Sequence, residues 1–141
     1  MAEQLHLRIL TPQKEVLSTD ASSVVLPGTL GELGILPQHV ALVTTLASGI
    51  LRYTVGNEEK GVAVHYGYAQ VRDDQVMVLA EMAEQVSDLD RDRVRSAEQR
   101  ARESLKRLQA EQVSEEERMT KYEAKLTRAL VRQSLLKDWT S

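Results

Sequence analysis

The chain of 141 residues contains no cysteine and no phenylalanine, and its aromatic residues are four tyrosines and one tryptophan. The lack of cysteine excludes disulfides, thiolate metal sites and cysteine nucleophiles, and it is compatible with a reducing compartment. Without phenylalanine, any core must be built from valine, leucine, isoleucine and alanine. We therefore expect a modest, mainly aliphatic core.

Long apolar runs are missing as well. No stretch approaches the roughly 20 apolar residues that a membrane-spanning helix needs. The start of the chain, MAEQLHLRIL, lacks the basic segment and apolar run of a secretory signal. We therefore expect a soluble protein that associates with a membrane only through a partner. The histidines, His6, His39 and His65, are scattered without metal-ligand spacing, so we expect neither a metal site nor catalytic residues.

Charge is divided unevenly along the chain. Residues 1–87 contain five Lys or Arg and ten Asp or Glu, whereas residues 88–141 contain thirteen and eleven. The first part is too acidic to bind nucleic acid, and the second mixes the two signs too finely to follow a phosphate backbone. A slightly basic segment suits docking against an acidic protein surface, and an ordinary solvated pair of helices fits the same composition equally well.

Apolar and polar residues alternate through much of residues 4–80, for example at Leu5, Leu7 and Ile9. This period places one face of each strand in a core and the other face in water. Proline, glycine and paired aspartates supply turn signals at short intervals. The pattern predicts many short strands in a small β-sandwich or barrel.

The hydrophobic period changes after residue 85 to one apolar residue every three or four positions. This period predicts two amphipathic helices within residues 88–137. Ser87 or Asp88 is expected to cap the first helix, and Ser114 with Glu117 is expected to form a capping box for the second. The predicted apolar stripes are Val94, Ala97, Ala101, Leu105 and Leu108 on the first helix, and Met119, Tyr122, Leu126, Ala129 and Leu136 on the second.

The two periods predict an α+β fold in two parts. Residues 1–87 form the β-sandwich, and residues 88–141 form an antiparallel helix-turn-helix hairpin. Neither glycine nor proline follows Gly67, so nothing interrupts either helix. Both stripes are narrow and rich in alanine, so we expect a weakly held hairpin of the kind that moves in regulation.

The most distinctive segment is residues 25–44, VLPGTLGELGILPQHVALVT. It predicts a strand, a glycine-rich loop and a returning strand, in which Gly28, Gly31 and Gly34 permit backbone angles that other residues avoid. A phosphate-binding loop is the enzymatic alternative. It is disfavoured because no Lys-Ser/Thr pair follows the glycines and their spacing is not GxGxxG.

This segment, followed by LASG at residues 46–49 and HYGYAQV at residues 65–71, resembles the epsilon subunit of F-type ATP synthases, the counterpart of mitochondrial delta. The resemblance covers essentially the whole chain. It implies a ten-stranded β-sandwich followed by a helical hairpin, in a subunit without catalytic activity. One departure is His65-Tyr66, where the family usually has smaller residues before the glycine.

The resemblance implies a place in the rotor of a proton- or ion-translocating ATP synthase. The sandwich would bind the gamma subunit and rest on the polar loops of the membrane c-ring, coupling ring rotation to the catalytic head. The family's c-ring contacts fall on the loop that contains Glu32 and His39. A solvated carboxylate and a histidine bonded to its own turn are the alternatives. With no visible transit peptide, the expected location is the cytoplasmic face of a bacterial plasma membrane.

The resemblance implies that the subunit requires no cofactor. In some bacterial members of the family, however, the hairpin binds a regulatory ATP through an Ile/Leu-Asp-x-x-Arg-Ala motif. Leu89, Asp90 and Arg93 match this motif, whereas Val94 replaces its alanine. The alternative is that Asp90 caps the helix and pairs with Arg93. The supporting positions that the resemblance implies are Glu84, Arg100, Arg128 and Arg132.

The family's hairpin can also extend along gamma and meet an acidic segment of a catalytic beta subunit, in the head formed with alpha, and so block ATP hydrolysis. The basic face that would meet beta consists of Arg118, Lys121, Lys125, Arg128 and Arg132.

A free-standing nucleotide sensor and a β-sandwich adaptor with a helical arm are the other functions that the sequence allows.

Overall fold

Eight strands come first in the chain, and two helices follow them. The computed structural model describes residues 3–110 and 116–139, without the side chains of residues 108–110 and 116–119. A short 3₁₀ turn at Val86–Asp88 links the strands to helices α1 (Arg91–Ala110) and α2 (Glu116–Asp138). The strands are β1 (Leu5–Leu10), β2 (Glu15–Ala21), β3 (Ser23–Gly28), β4 (Gly31–Ile35), β5 (Leu42–Leu46), β6 (Gly49–Val55), β7 (Glu58–Arg72) and β8 (Gln75–Glu84).

The strands form two layers that share β7. Their order is β2-β1-β8-β7-β5-β3-β4, and β6 pairs with both β3 and β7. The first half of β7 pairs with β6 and the second half with β5, while β3 joins β6 to β5 on the other side. The structure therefore confirms the α+β class, with a β-sandwich followed by two helices.

The ten strands implied by the resemblance are wrong for the described residues, which form eight. Part of the reason is β7, a single strand of 15 residues. It bends at Tyr66 and Gly67, whose φ angles are 57° and 143°, yet it keeps its pairing with β8 on both sides of the bend. A Cβ atom at Gly67 would lie 2.0 Å from the carbonyl oxygen of Leu79, so only glycine fits there. One continuous strand thus serves both layers.

The core lies between the layers and is aliphatic, as the composition predicts. Leu5, Leu7 and Ile9 on β1 are fully buried, whereas the residues that alternate with them are partly exposed. Tyr53 is the one aromatic residue in the buried cluster of the described residues. Burial of such side chains stabilises the fold by about 25 cal/mol per Å² of apolar surface removed from water.

The glycine-rich loop uses its glycines for different reasons. Gly31, at the turn between β3 and β4, has a φ of 127° and requires the freedom of glycine. Gly28 instead allows a close approach, because a Cβ atom there would lie 2.7 Å from the carbonyl oxygen of Gly31. Gly34 has neither a positive φ nor a close neighbour. Of these three glycines, Gly31 is therefore the one that uses the conformational freedom the sequence permits.

Helices α1 and α2 pack against each other, and α2 also contacts β6 and β7. Val94 and Ala101 on α1 and Ala129 and Leu136 on α2 are buried, in agreement with the predicted stripes. The stripes omit Leu135, which is fully buried. Only small and medium side chains therefore fill the helix contact. The predicted stripe members whose side chains lie outside the described residues are Leu108 and Met119.

The cap of α1 is Asp90 rather than Ser87 or Asp88. Its Oδ1 accepts hydrogen bonds from the backbone N–H groups of Asp92 and Arg93, at 2.9 and 3.1 Å. Asp88 instead accepts from the backbone N–H of Gln85 and closes the preceding turn. The predicted capping box of Ser114 and Glu117 cannot be compared with the structure, because Ser114 and the side chain of Glu117 lie outside the described residues.

The end of α2 lies on Gly61 of β7. A Cβ atom at Gly61 would be 3.0 Å from both Leu135 Cδ1 and the ring of Trp139, so the glycine lets the helix approach the strand closely.

Over the described residues, neither helix carries an apolar stretch long enough to cross a membrane. The predicted division between residues 87 and 88 falls inside the 3₁₀ turn and stays a prediction.

Candidate functional site

Glu84, the last residue of β8, connects the β-sandwich to α2. Arg132 Nε donates to Glu84 Oε1 at 2.6 Å, and Arg132 Nη2 donates to Met82 Sδ at 2.9 Å. Only 19% of the Arg132 side chain and 20% of the Glu84 side chain are exposed. Two residues of the predicted nucleotide-binding set are thus in direct, largely buried contact.

His65 on β7 reaches the same carboxylate from inside the sandwich. Its Nε2 lies 3.1 Å from Glu84 Oε1, and its Nδ1 lies 2.6 Å from Ser48 Oγ in the turn between β5 and β6. Ser48, His65, Glu84 and Arg132 thus form a continuous chain of polar contacts, which we call the junction. The sequence offered one signal for it: a histidine where related chains carry a smaller residue.

The pKa of the Glu84 carboxyl reflects opposing effects. Burial by itself raises this pKa, because it disfavours the charged form. Hydrogen bonds from His65 and Arg132 and the charge of Arg132 lower it, and together they hold the pKa of Glu84 below its ordinary value. The group is therefore a carboxylate in neutral solution and acts only as a hydrogen-bond acceptor.

A groove between the two helices collects four cationic side chains. Arg100 on α1 and Lys125, Arg128 and Arg132 on α2 line a cavity of about 350 Å³, together with two alanines and a serine of α1. The small side chains leave room for a ligand, and the guanidinium groups are suited to phosphate oxygens. We call these four residues the basic groove. It brings together three of the residues in the predicted nucleotide-binding set.

The predicted motif residues lie outside this groove. Asp90 uses its carboxylate to cap α1, which matches the alternative interpretation of that residue. Arg93 is exposed and Leu89 is partly buried, and neither lines the groove. Their assignment to nucleotide binding is not tested by the structure and stays a prediction.

The two predicted c-ring residues both have local partners. Glu32 forms an ion pair with Arg52 on β6 while 62% of its side chain stays exposed. His39 Nδ1 lies 2.8 Å from the carbonyl oxygen of Val40, the turn contact that the alternative interpretation describes. These contacts leave the predicted roles untested, because an exposed ion pair contributes only about 0–1 kcal/mol and exchanges partners readily.

The predicted basic face lies along α2. Lys121 and Lys125 are exposed, whereas Arg128 and Arg132 are partly buried at the helix contact. Lys125 Nζ lies 5.5 Å from the centre of the Tyr122 ring. The side chain of Arg118 lies outside the described residues. The exposed residues of this face are therefore lysines, and Lys125, Arg128 and Arg132 also belong to the basic groove.

A group of exposed apolar residues, which the sequence analysis did not single out, lies along β5. Val43 on β5 is 71% exposed and Tyr68 on β7 is 51% exposed. Val43 pairs with Gln70 and Thr45 with Tyr68, so Val43 and Tyr68 are diagonal neighbours on one face of the sheet. Val40, in the loop before β5, and Leu30, in the β3–β4 turn that is bonded to β5 through Thr29 and Thr45, are also exposed. We call Leu30, Val40, Val43 and Tyr68 the apolar face.

Comparisons with known proteins agree with this architecture. Residues 4–86 match the family model described as ATP synthase, Delta/Epsilon chain, beta-sandwich domain. The ATP synthase epsilon chain of Geotalea daltonii is 40% identical over 94% of this chain and 93% of its own length. That of Nitratidesulfovibrio vulgaris is 42% identical over 94% and 95%. The chain belongs to the ATP synthase epsilon-chain family.

Two solved structures contain chains with a similar fold. A chain in the Euglena gracilis mitochondrial ATP synthase, OSCP/F1/c-ring in rotational state 1, superposes with a TM-score of 0.77 and 22% identity over 94% of this chain and 81% of its own length. A chain of the Tetrahymena thermophila central stalk and c-ring superposes with a TM-score of 0.51 and 22% identity over 66% and 71%. An epsilon chain is a structural, non-catalytic subunit of the ATP synthase stalk.

We expect Glu84→Gln to weaken the attachment of α2 at neutral pH by about 1–3 kcal/mol, the usual range for hydrogen bonds to a charged group. Because the folded-state pKa of Glu84 is lowered, its carboxylate stabilises the fold above the unfolded-state pKa, and this contribution is lost as the pH falls through the folded-state pKa. The difference between the wild type and Glu84→Gln should therefore shrink in acid. Urea unfolding followed by Trp139 fluorescence at several pH values measures it.

The matched control for this measurement is Glu81→Gln. Glu81 lies on the same strand but is exposed. This change should alter the unfolding free energy by no more than about 0.5 kcal/mol at any pH. A Glu84→Gln effect that stayed constant from neutral to acid pH would contradict the assigned role of the carboxylate.

Proposed function

We propose that this chain couples rotation of a membrane c-ring to the catalytic head of an ion-translocating ATP synthase. In this proposal the β-sandwich binds the gamma subunit and rests on the ring, and the chain lies at the cytoplasmic face of a bacterial plasma membrane only through the complex. Membership of the epsilon-chain family supports the proposal. The apolar face is the observation that carries it.

The apolar face has the properties of a docking surface. Val43 and Tyr68 come from neighbouring strands that are fixed by a regular ladder of hydrogen bonds, so their side chains are held in place before a partner arrives. A contiguous exposed apolar surface on a rigid sheet is typical of a protein–protein contact. Tyrosine is also enriched among the residues that dominate interface energies. We propose that gamma covers this surface.

The predicted ring contacts are connected to this surface through the sheet and the chain. Glu32 is on β4, which pairs with β3, and the end of β3 contacts β5. His39 directly precedes Val40 of the apolar face. We propose that these two residues contribute to the contact with the polar loops of the c-ring, with Glu32 exchanging Arg52 for a basic residue of the ring. Their individual contributions are small, so the extended surface must transmit the torque.

We expect Val43→Glu to weaken binding of the cognate gamma subunit by roughly 30-fold, because a residue at the centre of an interface contributes about 2 kcal/mol. Titration of purified gamma with the full chain measures the affinity. Ser18→Glu is the matched control: it introduces the same charge at an exposed position of β2, far along the sheet, and should bind as the wild type does. Equal affinities for the two variants would refute the proposed docking surface.

A second candidate function is regulatory ATP binding in the basic groove. Four cations surround a cavity of about 350 Å³, which favours a polyphosphate anion. Arg132 already donates hydrogen bonds to Glu84 and Met82 through Nε and Nη2. A guanidinium has five N–H donors, so Arg132 keeps donors for a ligand. Arg100 and Arg128 supply the remaining charge. We propose that phosphate groups bind here, whereas Asp90 and Arg93 would have to be recruited from the start of α1.

We expect Arg128→Ala to lower the affinity for ATP by about 10- to 100-fold, which corresponds to losing one hydrogen bond to a charged group. Calorimetric titration of the full chain with ATP measures this change. The control is Arg102→Ala, which removes an exposed arginine of α1 that pairs with Glu98 outside the groove. If Arg102→Ala weakened ATP binding as much as Arg128→Ala, the groove would not be the site.

The outer lysines of α2 support a third element of the proposal, inhibition of ATP hydrolysis. Lys121 and Lys125 are exposed and lie one turn apart, so an acidic segment of a beta subunit could meet both when the hairpin extends along gamma. The same helix carries the inner arginines of the basic groove. We propose that bound ATP, by engaging those arginines, favours the folded hairpin and so opposes inhibition.

We expect Lys121→Glu to raise the ATPase activity of the head reconstituted with this chain. The increase should reach about fivefold at most, because an exposed ion pair contributes up to about 1 kcal/mol. Lys106→Glu, an equal charge change at an exposed position of α1, is the control and should leave the activity unchanged. Unchanged activity with Lys121→Glu would remove α2 from the inhibitory contact.

A further inference from the structure

His65 is an unusual residue in the interior of this protein. Of the described residues it is the only polar or charged one that is buried, with 1% of its surface exposed. It occupies a strand whose neighbouring positions are aliphatic, at Val62, Ala63 and Val64. A buried imidazole is stable only when its ring nitrogens have suitable partners.

The junction fits a neutral imidazole. The Glu84 carboxylate can only accept, so His65 Nε2 must carry a proton and donate to Oε1 at 3.1 Å. The other ring nitrogen, Nδ1, then accepts from the hydroxyl of Ser48 at 2.6 Å. Every group is satisfied, and the single negative charge of Glu84 is matched by the single positive charge of Arg132.

A second proton on His65 would upset this balance. Nε2 of His65 and Nε of Arg132 both contact the same oxygen, Glu84 Oε1, so two cations would share one carboxylate. Ser48 offers only a hydroxyl, which would have to reverse its hydrogen bond. Among the described residues, the charged groups placed against the imidazole are Glu84 from β8 and, through it, Arg132 from α2. One positive charge would therefore remain uncompensated in a buried position.

The weakest element of the junction is its connection to α2. His65 and Glu84 are fixed by the ladder between β7 and β8, in which His65 pairs with Met82 and Ala63 pairs with Glu84. Arg132, in contrast, is held by its contacts with Glu84 and Met82 and by the packing of α2 on the sandwich. Repulsion within the junction is relieved most readily when Arg132 leaves and α2 detaches.

We propose that Ser48, His65, Glu84 and Arg132 form a latch that holds α2 on the β-sandwich and that opens when His65 takes a second proton. The latch is a property of the isolated chain and does not require any partner. Its consequence for ATP hydrolysis, a hairpin released on acidification, rests on the proposed function.

The chain carries its own reporter for this event. Trp139 is the only tryptophan, and its ring packs on Gly61 of β7 at the end of α2. Detachment of α2 exposes this ring to solvent. Acrylamide quenching of tryptophan fluorescence in the nucleotide-free full chain therefore measures the fraction of detached hairpin.

For the wild type we expect the quenching constant to rise by about twofold or more on acidification from about pH 8 to about pH 5.5, as a second proton reaches the junction. His65→Gln, which cannot take up a proton, should show no such rise. A control chain with His6→Gln and His39→Gln retains His65 as its only histidine and should respond as the wild type does. A flat wild-type profile, or the same rise in His65→Gln, would overturn the proposal.

Arg132→Gln provides a second test that does not depend on replacing a core residue. Its carboxamide carries no charge, so protonation of His65 no longer meets a second cation and the pH dependence should disappear, while quenching near neutral pH is higher than in the wild type. A wild-type pH response in Arg132→Gln would equally overturn the latch. Circular dichroism of Arg132→Gln over the same pH range checks that the strands remain folded. The assay contains no gamma subunit, so its result does not depend on the outcome of the gamma-binding titration.

Discussion

The attachment of the helical hairpin depends on one carboxylate oxygen, Glu84 Oε1, which receives both His65 and Arg132. A partly buried ion pair is costly to desolvate, and it persists only where further hydrogen bonds satisfy the charged groups. Here His65 supplies that further bond to the carboxylate, and Ser48 in turn satisfies the imidazole. The helix is therefore held through a polar chain that begins inside the β-sandwich, rather than by apolar packing alone.

The two parts of the molecule differ in how firmly they are built. The sandwich has a continuous aliphatic core and hydrogen-bonded ladders on every strand. The hairpin buries a short row of small and medium side chains, such as Val94, Ala101 and Ala129. Segments with little buried apolar surface open at low free-energy cost. Arg132 belongs to both the junction and the basic groove, so under the two proposals above an anion in the groove and a proton on His65 would act on the same side chain with opposite effects.

The sequence predicts the repeating parts of this structure well and the long-range contacts poorly. Alternation at Leu5, Leu7 and Ile9 predicts the strands, and spacing by three and four predicts the stripes on both helices. Asp88 and Asp90 are equally plausible caps from sequence, because only backbone geometry decides which carboxylate reaches the free N–H groups. The bend in β7 is equally hidden, since a glycine in a strand does not reveal that the strand continues beyond it. His65 and Arg132 lie far apart in the chain, and no local pattern indicates that one carboxylate joins them.

The bend in β7 also separates the two functional surfaces of the sandwich. His65 precedes the bend and belongs to the junction, whereas Tyr68 follows it and belongs to the apolar face. The bend is closely packed, because the carbonyl oxygen of Leu79 occupies the space that a Cβ atom at Gly67 would need. Both sides of the bend are also paired with β8 in one register. A partner on Tyr68 therefore meets a surface that keeps its shape whether or not α2 is attached. We infer that the hairpin can change position on a sandwich that remains bound, because the strand joining the two surfaces is rigid.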